Sequence, residues 1–250
     1  MSELSGTTTM VVGASRGLGR GIATALAGAG APVVAVARTG TGLVALAADA
    51  TAGTVTPEVA DAADATVPGS LLDRHEPAVV VLVAGATPLA RPLQQHTWET
   101  FSVNWNTDVR IAFHWLREAL LKPLRPGGRV IVVSSGAALA GSPLSGGYAG
   151  AKATQRFITG YAQEEADRAG LGLTFTAVLP GLTPLTDLGR PAVRAYAARA
   201  GQTEEEFLKQ RGEVLTPEVA GAAVVELVRA DAASLARGYL LTGEGLRDLP

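Results

Sequence analysis

The chain has 250 residues, of which 47% are hydrophobic and 18% charged, and its formal net charge is −2. This composition supports a large core and excludes intrinsic disorder, and the charge offers no basic surface for nucleic acid or anionic lipid. The chain contains no cysteine, which excludes disulfides and thiolate metal sites. The polar run Met1–Thr7 lacks the features of a signal peptide, so we expect a cytoplasmic protein that binds neither nucleic acid nor a membrane.

Short β-branched runs alternate with alanine- and leucine-rich stretches, which is typical of a parallel sheet covered by helices. The predicted strands are Thr8–Val12, Pro32–Ala37, Thr54–Val59, Ala78–Val83, Arg129–Ser134, Leu173–Leu179 and Tyr239–Thr242. The predicted helices are Leu18–Ala29, Leu43–Ala50, a short one near Ser70–His75, Thr97–Leu121, Ala149–Ala169 and Pro217–Arg229. We therefore predict one α/β domain over residues 1–250, with a doubly wound, Rossmann-like sheet of seven parallel strands flanked by helices.

A glycine-rich turn, Gly13-Ala-Ser-Arg-Gly-Leu-Gly19, joins the first predicted strand to the first helix. Glycines allow a backbone to approach a pyrophosphate closely, and a helix N-terminus offers unpaired N–H groups and the positive end of its dipole. The spacing differs from the commonest dinucleotide-binding fingerprint, so tight packing of the turn is the alternative explanation.

Two arginines indicate which nucleotide the turn would bind. Arg16 lies inside the turn, and Arg38 follows the second strand, where NAD-binding folds usually carry an acidic residue. Two guanidinium groups suit a 2′-phosphate, so NADP(H) is the predicted cofactor. The alternative is that Arg38 is an ordinary exposed loop arginine.

Tyr148 and Lys152 are four residues apart on a predicted helix, and therefore lie on one face within reach of each other. A neighbouring ammonium stabilises a phenolate, which makes tyrosine a better general acid and base near neutral pH. Ser135, at the end of the fifth strand, would face the same pocket and hydrogen-bond a substrate oxygen. Tyrosine and lysine at this spacing arise by chance in many helices, but the combination with the serine and the glycine turn indicates an enzyme.

With these motifs, the chain from Thr8 to about Gly243 resembles a short-chain dehydrogenase/reductase of the single-domain kind. The matching residues are the turn Gly13–Gly19, Asp61, Ala84-Gly85, Asn104, Ser135, Tyr148, Lys152 and Pro180-Gly181. The resemblance implies an NADPH-dependent carbonyl reductase, reversible as an alcohol dehydrogenase, with Tyr148 as the general acid and base.

The same resemblance implies roles for the other matching residues. Lys152 would bind the nicotinamide ribose and stabilise the phenolate, Ser135 would position the substrate oxygen, and Asn104 would hold a water that relays protons to Lys152. The residues expected to contact the cofactor are Gly13, Ser15, Arg16, Leu18, Gly19, Arg38, Asp61, Ala84, Gly85, Tyr148, Lys152, Pro180, Gly181 and Thr183. Thr186 is an alternative to Thr183, because neither has the usual spacing from Pro180-Gly181.

The chain departs from the family pattern at the ends of two central strands. Val12 stands where a threonine is usual, and Leu82-Val83 stands where two asparagines are usual. Since both sides are apolar, we predict that packing replaces the polar link and leaves no polar group buried without a partner.

The predicted helix Thr97–Leu121 contains all three tryptophans of the chain. The stripe expected to face the sheet consists of Trp98, Phe101, Trp105, Val109, Ala112 and Leu116, with Ile111 and Trp115 beside it. This apolar arc is wider than a surface helix needs. Packing within one subunit would explain it, but the family resemblance favours an interface through this helix and the Tyr148 helix, and hence a homodimer or homotetramer.

The segments expected to line the substrate pocket are residues 86–90, 136–147 and 182–196, which carry few charges. They predict a small apolar ketone, aldehyde or alcohol as substrate. Within the stretch 182–211, which we expect to form a helical lid, Arg190 and Arg194 are either ordinary exposed arginines or ligands for an anionic group at the rim. The three histidines have no ligand spacing, so no metal site is expected.

Two other functions remain open. One is a catalytically silent NADP(H)-binding sensor or scaffold protein of the same fold, which would have no need of the whole Asn104, Ser135, Tyr148 and Lys152 set. The other is an epimerase or dehydratase of the related larger fold, which the lack of an additional substrate domain after Pro180 disfavours.

Overall fold

An eight-stranded sheet runs through the computed structural model, which describes residues 4–249, in the order β3-β2-β1-β4-β5-β6-β7-β8. The strands are β1 Thr9–Val12, β2 Val33–Ala37, β3 Val55–Val59, β4 Val79–Leu82, β5 Arg129–Val133, β6 Thr174–Pro180, β7 Gly238–Thr242 and β8 Gly245–Asp248. Neighbours from β3 to β7 are parallel, and β8 runs antiparallel to β7. The predicted fold class is confirmed.

The strand count differs from the prediction of seven parallel strands. β8 was missed because it has only 4 residues, all at least partly exposed, and therefore carries no buried apolar run. Residues 1–3 and 250 lie outside the described part of the chain, and the single domain over residues 1–250 stays a prediction.

Helices cover both faces of the sheet. They are α1 Gly17–Gly28, α2 Gly40–Ala48, α3 Val67–His75, α4 Trp98–Asn104, α5 Arg110–Leu121, α6 Ala137–Ala140, α7 Tyr148–Arg168, α8 Gly189–Ala200, α9 Glu204–Lys209 and α10 Pro217–Arg229. Side chains alternate between the faces of a strand, so Val11 packs with α1, α2 and α10, whereas Met10 and Val12 pack with α3, α5 and α7. Within residues 4–249, no helix is both long and apolar enough to cross a membrane.

The predicted helix Thr97–Leu121 is interrupted. A π-helical turn, Trp105–Val109, separates α4 from α5. Such a turn contains one extra residue, so the faces of the helix before and after it are out of phase. A stripe extrapolated at constant helical spacing therefore cannot hold along the whole segment.

The exposure of the tryptophans shows this change of phase. Trp98 and Trp105, which were expected to face the sheet, are 73% and 41% exposed, whereas Trp115, expected beside the stripe, is only 1% exposed. The predicted stripe is wrong for Trp98 and Trp105 and correct for Ala112 and Leu116, which are buried, while Phe101 and Val109 are half-buried.

The ends of β1 and β4 are joined without side-chain polar groups, as predicted. Val12 is fully buried and pairs with Val36 on one side and Leu82 on the other. The backbone N–H groups of Val83 and Ala84 both donate to the carbonyl of Val12, at 2.8 and 2.9 Å. Backbone hydrogen bonds and packing therefore hold the two strand ends together.

The segment 182–211 contains α8 and α9, in agreement with its predicted helical character. The two helices share a small apolar cluster of Val193, Ala197 and Phe207. α9 begins with a capping box, in which Thr203 accepts from the backbone of Glu206 and the Glu206 side chain accepts from the backbone of Thr203. Movement of this segment as a lid stays a prediction.

Candidate active site

A cleft of about 1070 Å³ opens at the carboxyl ends of the parallel strands. Parallel strands end at the same edge of a sheet, so residues far apart in sequence meet there. The turn after β1, Arg38 after β2, Asp61 after β3, Ala84 and Gly85 after β4, Ser135 after β5 and Gly181 after β6 all line this cleft.

The structure brings together all but one of the predicted site residues. Those that line the cleft are Gly13, Ser15, Arg16, Leu18, Gly19, Arg38, Asp61, Ala84, Gly85, Ser135, Tyr148, Lys152, Pro180, Gly181, Thr183 and Thr186. Asn104 lies behind the wall of the cleft, fully buried, and its Nδ2 donates to the carbonyl of Ala86 at 2.7 Å. The roles given to these residues stay predictions.

The glycine turn packs closely against its own helix and against the end of β4. A Cβ on Gly19 would lie 2.1 Å from the carbonyl oxygen of Gly13, and Gly13 itself has φ +99°. A Cβ on Gly13 would lie 2.6 Å from the backbone nitrogen of Ala84. No side chain caps α1, so the first N–H groups of this helix have no side-chain acceptor.

The two arginines expected at a 2′-phosphate both line the cleft. Arg16 Nη1 lies 3.3 Å from Asp187 Oδ2 in an ion pair whose side chains are largely exposed. Asp187 belongs to the segment before α8, so this pair joins the glycine turn to the predicted lid. At the end of β2, Ala37, Arg38 and Thr39 provide no carboxylate.

α7 places the tyrosine and the lysine one turn apart. Tyr148 is the first residue of the helix, and Lys152 Nζ lies 5.6 Å from the centroid of its ring. The helix begins here against α4, since a Cβ on Gly147 would lie 2.4 Å from the carbonyl oxygen of Phe101. Ser135 Oγ accepts a hydrogen bond from the backbone of Ala137 at 3.2 Å.

Lys152 is almost fully buried and surrounded by oxygen atoms. Its Nζ lies 3.1 Å from Asp108 Oδ2 and donates to Gln155 Oε1 at 3.0 Å and to the carbonyl of Val133 at 3.5 Å. Burial opposes the charged ammonium, but attraction to Asp108 and then to Tyr148 outweighs it, and the pKa of Lys152 is raised above its usual 10.5.

Asp108 connects this lysine to the loop after β4. Its Oδ1 accepts from the backbone of Ala86 at 2.8 Å and from Asn104 Nδ2 at 3.3 Å. Its Oδ2 makes the ion pair with Lys152 outside hydrogen-bond geometry. Gln155 Nε2 donates to the backbone carbonyl of Asp108 at 2.8 Å.

Asp108 and Gln155 were not identified from the sequence. A signal was present in the spacing, since Asp108 follows Asn104 by four residues and Gln155 follows Lys152 by three. Residues three or four apart share a helix face, so the polar side chains of Asp108 and Gln155 could have been predicted to lie beside Asn104 and Lys152.

The side-chain hydroxyls of the two candidate threonines both form hydrogen bonds with backbone groups. Thr183 Oγ1 donates to the carbonyl of Leu215 at 2.5 Å and accepts from the backbone of Leu185. Thr186 Oγ1 accepts from the backbone of Gly189 at 3.0 Å, where α8 begins. A contact from either threonine to a nicotinamide stays a prediction.

Part of the cleft lining, which we call the apolar wall, is formed by apolar and aromatic residues. The residues there are Pro88, Leu89, Ala140, Pro143, Leu144, Leu182, Leu188, Pro191, Ala192 and Tyr196. Neither Arg190 nor Arg194 is among the residues that line the cleft, and Arg194 pairs with Glu204. The arginine that reaches this wall is Arg211, whose guanidinium lies 4.2 Å from the centroid of the Phe207 ring.

The model of a protein family described as short chain dehydrogenase matches residues 7–197. The chain belongs to the short-chain dehydrogenase/reductase family. It is therefore an oxidoreductase of that family, and the resemblance inferred from the sequence motifs is confirmed.

Related proteins support this assignment. The chain is 32% identical over 197 residues to "Hydroxynaphthalene reductase-like protein Arp2" of Metarhizium robertsii, which covers 72% of this chain and 69% of that protein. It is 34% identical over 192 residues to an uncharacterized oxidoreductase of Myxococcus xanthus, and the alignment covers 72% of this chain and 74% of that protein.

Solved structures of the family have the same fold. A dehydrogenase/reductase from Sinorhizobium meliloti aligns with a TM-score of 0.78 at 25% identity and covers 94% of this chain and 92% of its own. A protein from Beutenbergia cavernae, provisionally described as an NAD(P)-dependent gluconate 5-dehydrogenase with bound NADP at low occupancy, aligns with a TM-score of 0.81 at 28% identity, and 96% of each chain is covered.

The residues of this short-chain dehydrogenase/reductase fit the nicotinamide dinucleotide that the family uses. The glycine turn leaves the first N–H groups of α1 without a side-chain acceptor, as an anion at a helix N-terminus requires. The volume of the cleft is at the upper end of the usual range for ligand sites, roughly 300–1,000 Å³.

Proposed function

We propose that this protein is an NADPH-dependent carbonyl reductase, reversible as an alcohol dehydrogenase, that acts on a small apolar ketone, aldehyde or alcohol. The observation that carries the proposal is that Ser135, Tyr148 and Lys152 line the same cleft as the turn Gly13–Gly19. A proton donor and a nucleotide-binding turn thus share one cavity, which is what a hydride transfer to a carbonyl requires.

Each side chain has a definite task in the proposed reduction. NADPH, when bound, supplies the hydride to the carbonyl carbon. Tyr148 gives its proton to the carbonyl oxygen, and the Lys152 ammonium stabilises the phenolate that is left. Ser135 Oγ hydrogen-bonds the same oxygen and so directs it towards Tyr148.

The preference for NADPH over NADH rests on Arg16 and Arg38. Both arginines line the cleft, and no carboxylate follows β2 to bind the ribose hydroxyls or repel a phosphate. The NADP bound to the Beutenbergia cavernae protein, which shares the fold, is consistent with this preference.

The apolar wall formed by residues such as Leu144, Leu182 and Leu188 supports an apolar substrate. The names of the hydroxynaphthalene reductase-like relatives point in the same direction, towards an apolar aromatic ring system. Burial of such a ring against this wall would contribute about 25 cal/mol per Å² of apolar surface.

The proposal is tested by NADPH and NADH consumption, measured side by side against apolar ketones, β-keto esters and quinones. We expect turnover with NADPH that Tyr148→Phe abolishes and that the matched control Tyr161→Phe retains, because the latter keeps the ring and removes a hydroxyl that has no hydrogen bond within residues 4–249. Tight NADPH binding without turnover on any carbonyl would favour the sensor alternative. Conversion of a substrate without net consumption of NADPH would favour an epimerase or dehydratase.

We also propose that the chain forms a homodimer or homotetramer through α4, α5 and α7, and that it works in the cytoplasm. The support is a group of exposed apolar side chains on these helices. They are Trp98, Phe113, Phe157 and Tyr161, which are 53–73% exposed. Measurement of the molar mass by light scattering tests the assembly: Phe157→Glu should lower the mass to that of one chain, and Val44→Glu, an exposed apolar residue on α2, should not. A wild-type protein with the mass of one chain at micromolar concentration would contradict it.

A further inference from the structure

The buried carboxylate of Asp108 takes no part in the proton and hydride transfers proposed for Tyr148, Lys152 and Ser135. It lies on the π-helical turn Trp105–Val109 and is only 1% exposed. An ionised carboxylate at such a position is costly unless it is paired and hydrogen-bonded. Asp108 is both, because Ala86 and Asn104 donate to Oδ1 and Lys152 lies against Oδ2.

The charge of the Lys152 ammonium is also costly to bury. The groups around it are Asp108 on the π-helical turn, Tyr148 and Gln155 on its own helix, and the backbone carbonyl of Val133 on β5. Of these groups, only Asp108 and Tyr148 have side chains that can carry a negative charge. Before Tyr148 gives up its proton, Asp108 is therefore the one negative charge in this set that compensates for the buried cation.

The space around the carboxylate is built to hold it in one place. A Cβ on Gly85 would lie 2.7 Å from Asp108 Oδ2, so the glycine leaves the room that this oxygen occupies. Gln155 contacts both partners, accepting from Lys152 Nζ and donating to the backbone carbonyl of Asp108. The π-helical turn, the loop after β4 and α7 therefore meet at this ion pair.

We propose that Asp108 is a positioning residue for the reaction, whose carboxylate anchors the Lys152 ammonium and keeps it charged beside Tyr148. This inference deepens the proposed function and rests on it for its catalytic consequence. The hydrogen bonds from the backbone N–H of Ala86 and from the side-chain amide of Asn104 fix the position of the Asp108 carboxylate. The carboxylate in turn fixes the position of the Lys152 ammonium and stabilises its charge.

Loss of the Asp108 carboxylate should lower the pKa of Lys152. Burial lowers this pKa and Asp108 raises it. Without the carboxylate, the ammonium loses its proton at a lower pH, and Tyr148 then loses the cation that stabilises its phenolate. Carbonyl reduction in Asp108→Asn should therefore fall off at a pH about one unit or more below that of the wild type.

The first experiment measures the protonation of Lys152 and does not require enzymatic turnover. Acetic anhydride acetylates neutral amines, and the chain has only three lysines, Lys122, Lys152 and Lys209, so peptide masses report each one separately. In Asp108→Asn, acetylation of Lys152 should begin about one pH unit or more below the wild-type value. An unchanged pH of acetylation would overturn the inference.

The matched control is Asp73→Asn, which removes the carboxylate of a surface Asp–Lys pair with Lys122. It should leave both the acetylation of Lys152 and the pH profile of activity as in the wild type. If Asp108→Asn does not fold, as judged by circular dichroism, Asp108→Ser removes the same charge with a smaller side chain and gives the same expectation.

The second experiment is the pH profile of kcat/KM for carbonyl reduction in the same proteins. A merely structural role for Asp108 would lower the rate by one factor at every pH and leave the midpoint of the profile in place, which would contradict the inference. A wild-type protein without turnover would overturn the proposed function, whereas the acetylation result would still decide the inference about Lys152.

Discussion

Tyr196 on α8 is hydrogen-bonded to Ser142, so the predicted lid is joined to the loop that leads into α7. The same hydroxyl accepts from the backbone of Leu144 at 3.2 Å. Both Ser142 and Tyr196 line the cleft, and the ring of Tyr196 stacks on Phe207 of α9. The segment 182–211, which contributes to the apolar wall, is thereby held to the loop that precedes Tyr148.

Removal of the Tyr196 hydroxyl should make the apolar wall more mobile and leave the proposed proton transfer from Tyr148 unchanged. Tyr196→Phe loses two hydrogen bonds but retains the ring, and we expect KM for the carbonyl substrate to rise by about 10-fold with kcat little changed. Steady-state kinetics measure this, with Tyr161→Phe as the control at an exposed position. A fall in kcat at unchanged KM would mean that the hydroxyl acts on the chemical step.

Two glycines of α1 provide a matched test of the nucleotide turn. In Gly19→Ala the new Cβ would meet the carbonyl oxygen of Gly13, and we expect a loss of stability of roughly 1–3 kcal/mol together with weaker NADPH binding. A Cβ on Gly28, at the end of the same helix, would meet nothing within 4 Å, so Gly28→Ala should be neutral or slightly stabilising. Thermal denaturation and fluorescence titration with NADPH compare the two, and equal effects would refute the close approach at Gly19.

Cofactor preference depends on the charge that follows β2. Arg38→Asp replaces a guanidinium by a carboxylate, which repels a 2′-phosphate and suits ribose hydroxyls. We expect Kd for NADPH to rise by about 100-fold while that for NADH changes by less than about 3-fold. Isothermal titration with both nucleotides measures this, and Arg168→Asp at the far end of α7 controls for net charge. Equal weakening for both nucleotides would contradict the assignment of Arg38.

A charged cluster beside α3 should make stability depend on pH. Partial burial opposes the ionised form of Glu58, but hydrogen bonds from His75 and Arg74 outweigh it, and its pKa lies below the usual 4.5. A carboxyl whose pKa is lowered by folding stabilises the protein above its unfolded-state pKa, and the contribution disappears as the pH falls through the folded-state value. The Glu58 contribution should therefore be complete at neutral pH and vanish in acid.

Glu58→Gln tests this dependence by thermal denaturation at several pH values. We expect Tm to fall by about 2 °C or more at pH near 7 and the difference from the wild type to shrink below pH 4.5 and disappear once the pH is below the lowered pKa of Glu58. Glu165→Gln, which removes a carboxylate from an exposed pair with Arg168 at 3.9 Å, should change Tm little at any pH. A difference that persists unchanged in acid would show that the Glu58 effect is not electrostatic.

Local patterns predicted the fold class, and together with the family resemblance they predicted many of the residues that line the cleft. The apolar runs of β4 and β5 identified buried parallel strands, and residues that follow such strands necessarily meet at one edge of the sheet. Ser135 was placed by this rule and Tyr148 and Lys152 by helical spacing over a single turn, whereas Asp61 was named from the family resemblance. These inferences hold because each depends on only a few neighbouring residues.

The phase of the segment from Trp98 to Leu121 was decided only in three dimensions. Helical spacing predicts a face only as long as every residue keeps the same hydrogen-bond register, and the π-helical turn Trp105–Val109 breaks that register. Trp98 and Trp105 are therefore exposed, contrary to the pattern, whereas Trp115, which was predicted beside the stripe, is the buried tryptophan.

Periodicity likewise could not predict the partner of Lys152. Asp108 and Lys152 are 44 residues apart, and their ion pair at 3.1 Å exists because the π-helical turn and α7 pack side by side against β4 and β5. For the same reason Arg211 reaches the apolar wall while Arg194, which is closer to it in sequence, pairs with Glu204 instead. Spacing along the chain predicts which residues share an element, whereas the charge and the partners of a buried group depend on which elements pack together.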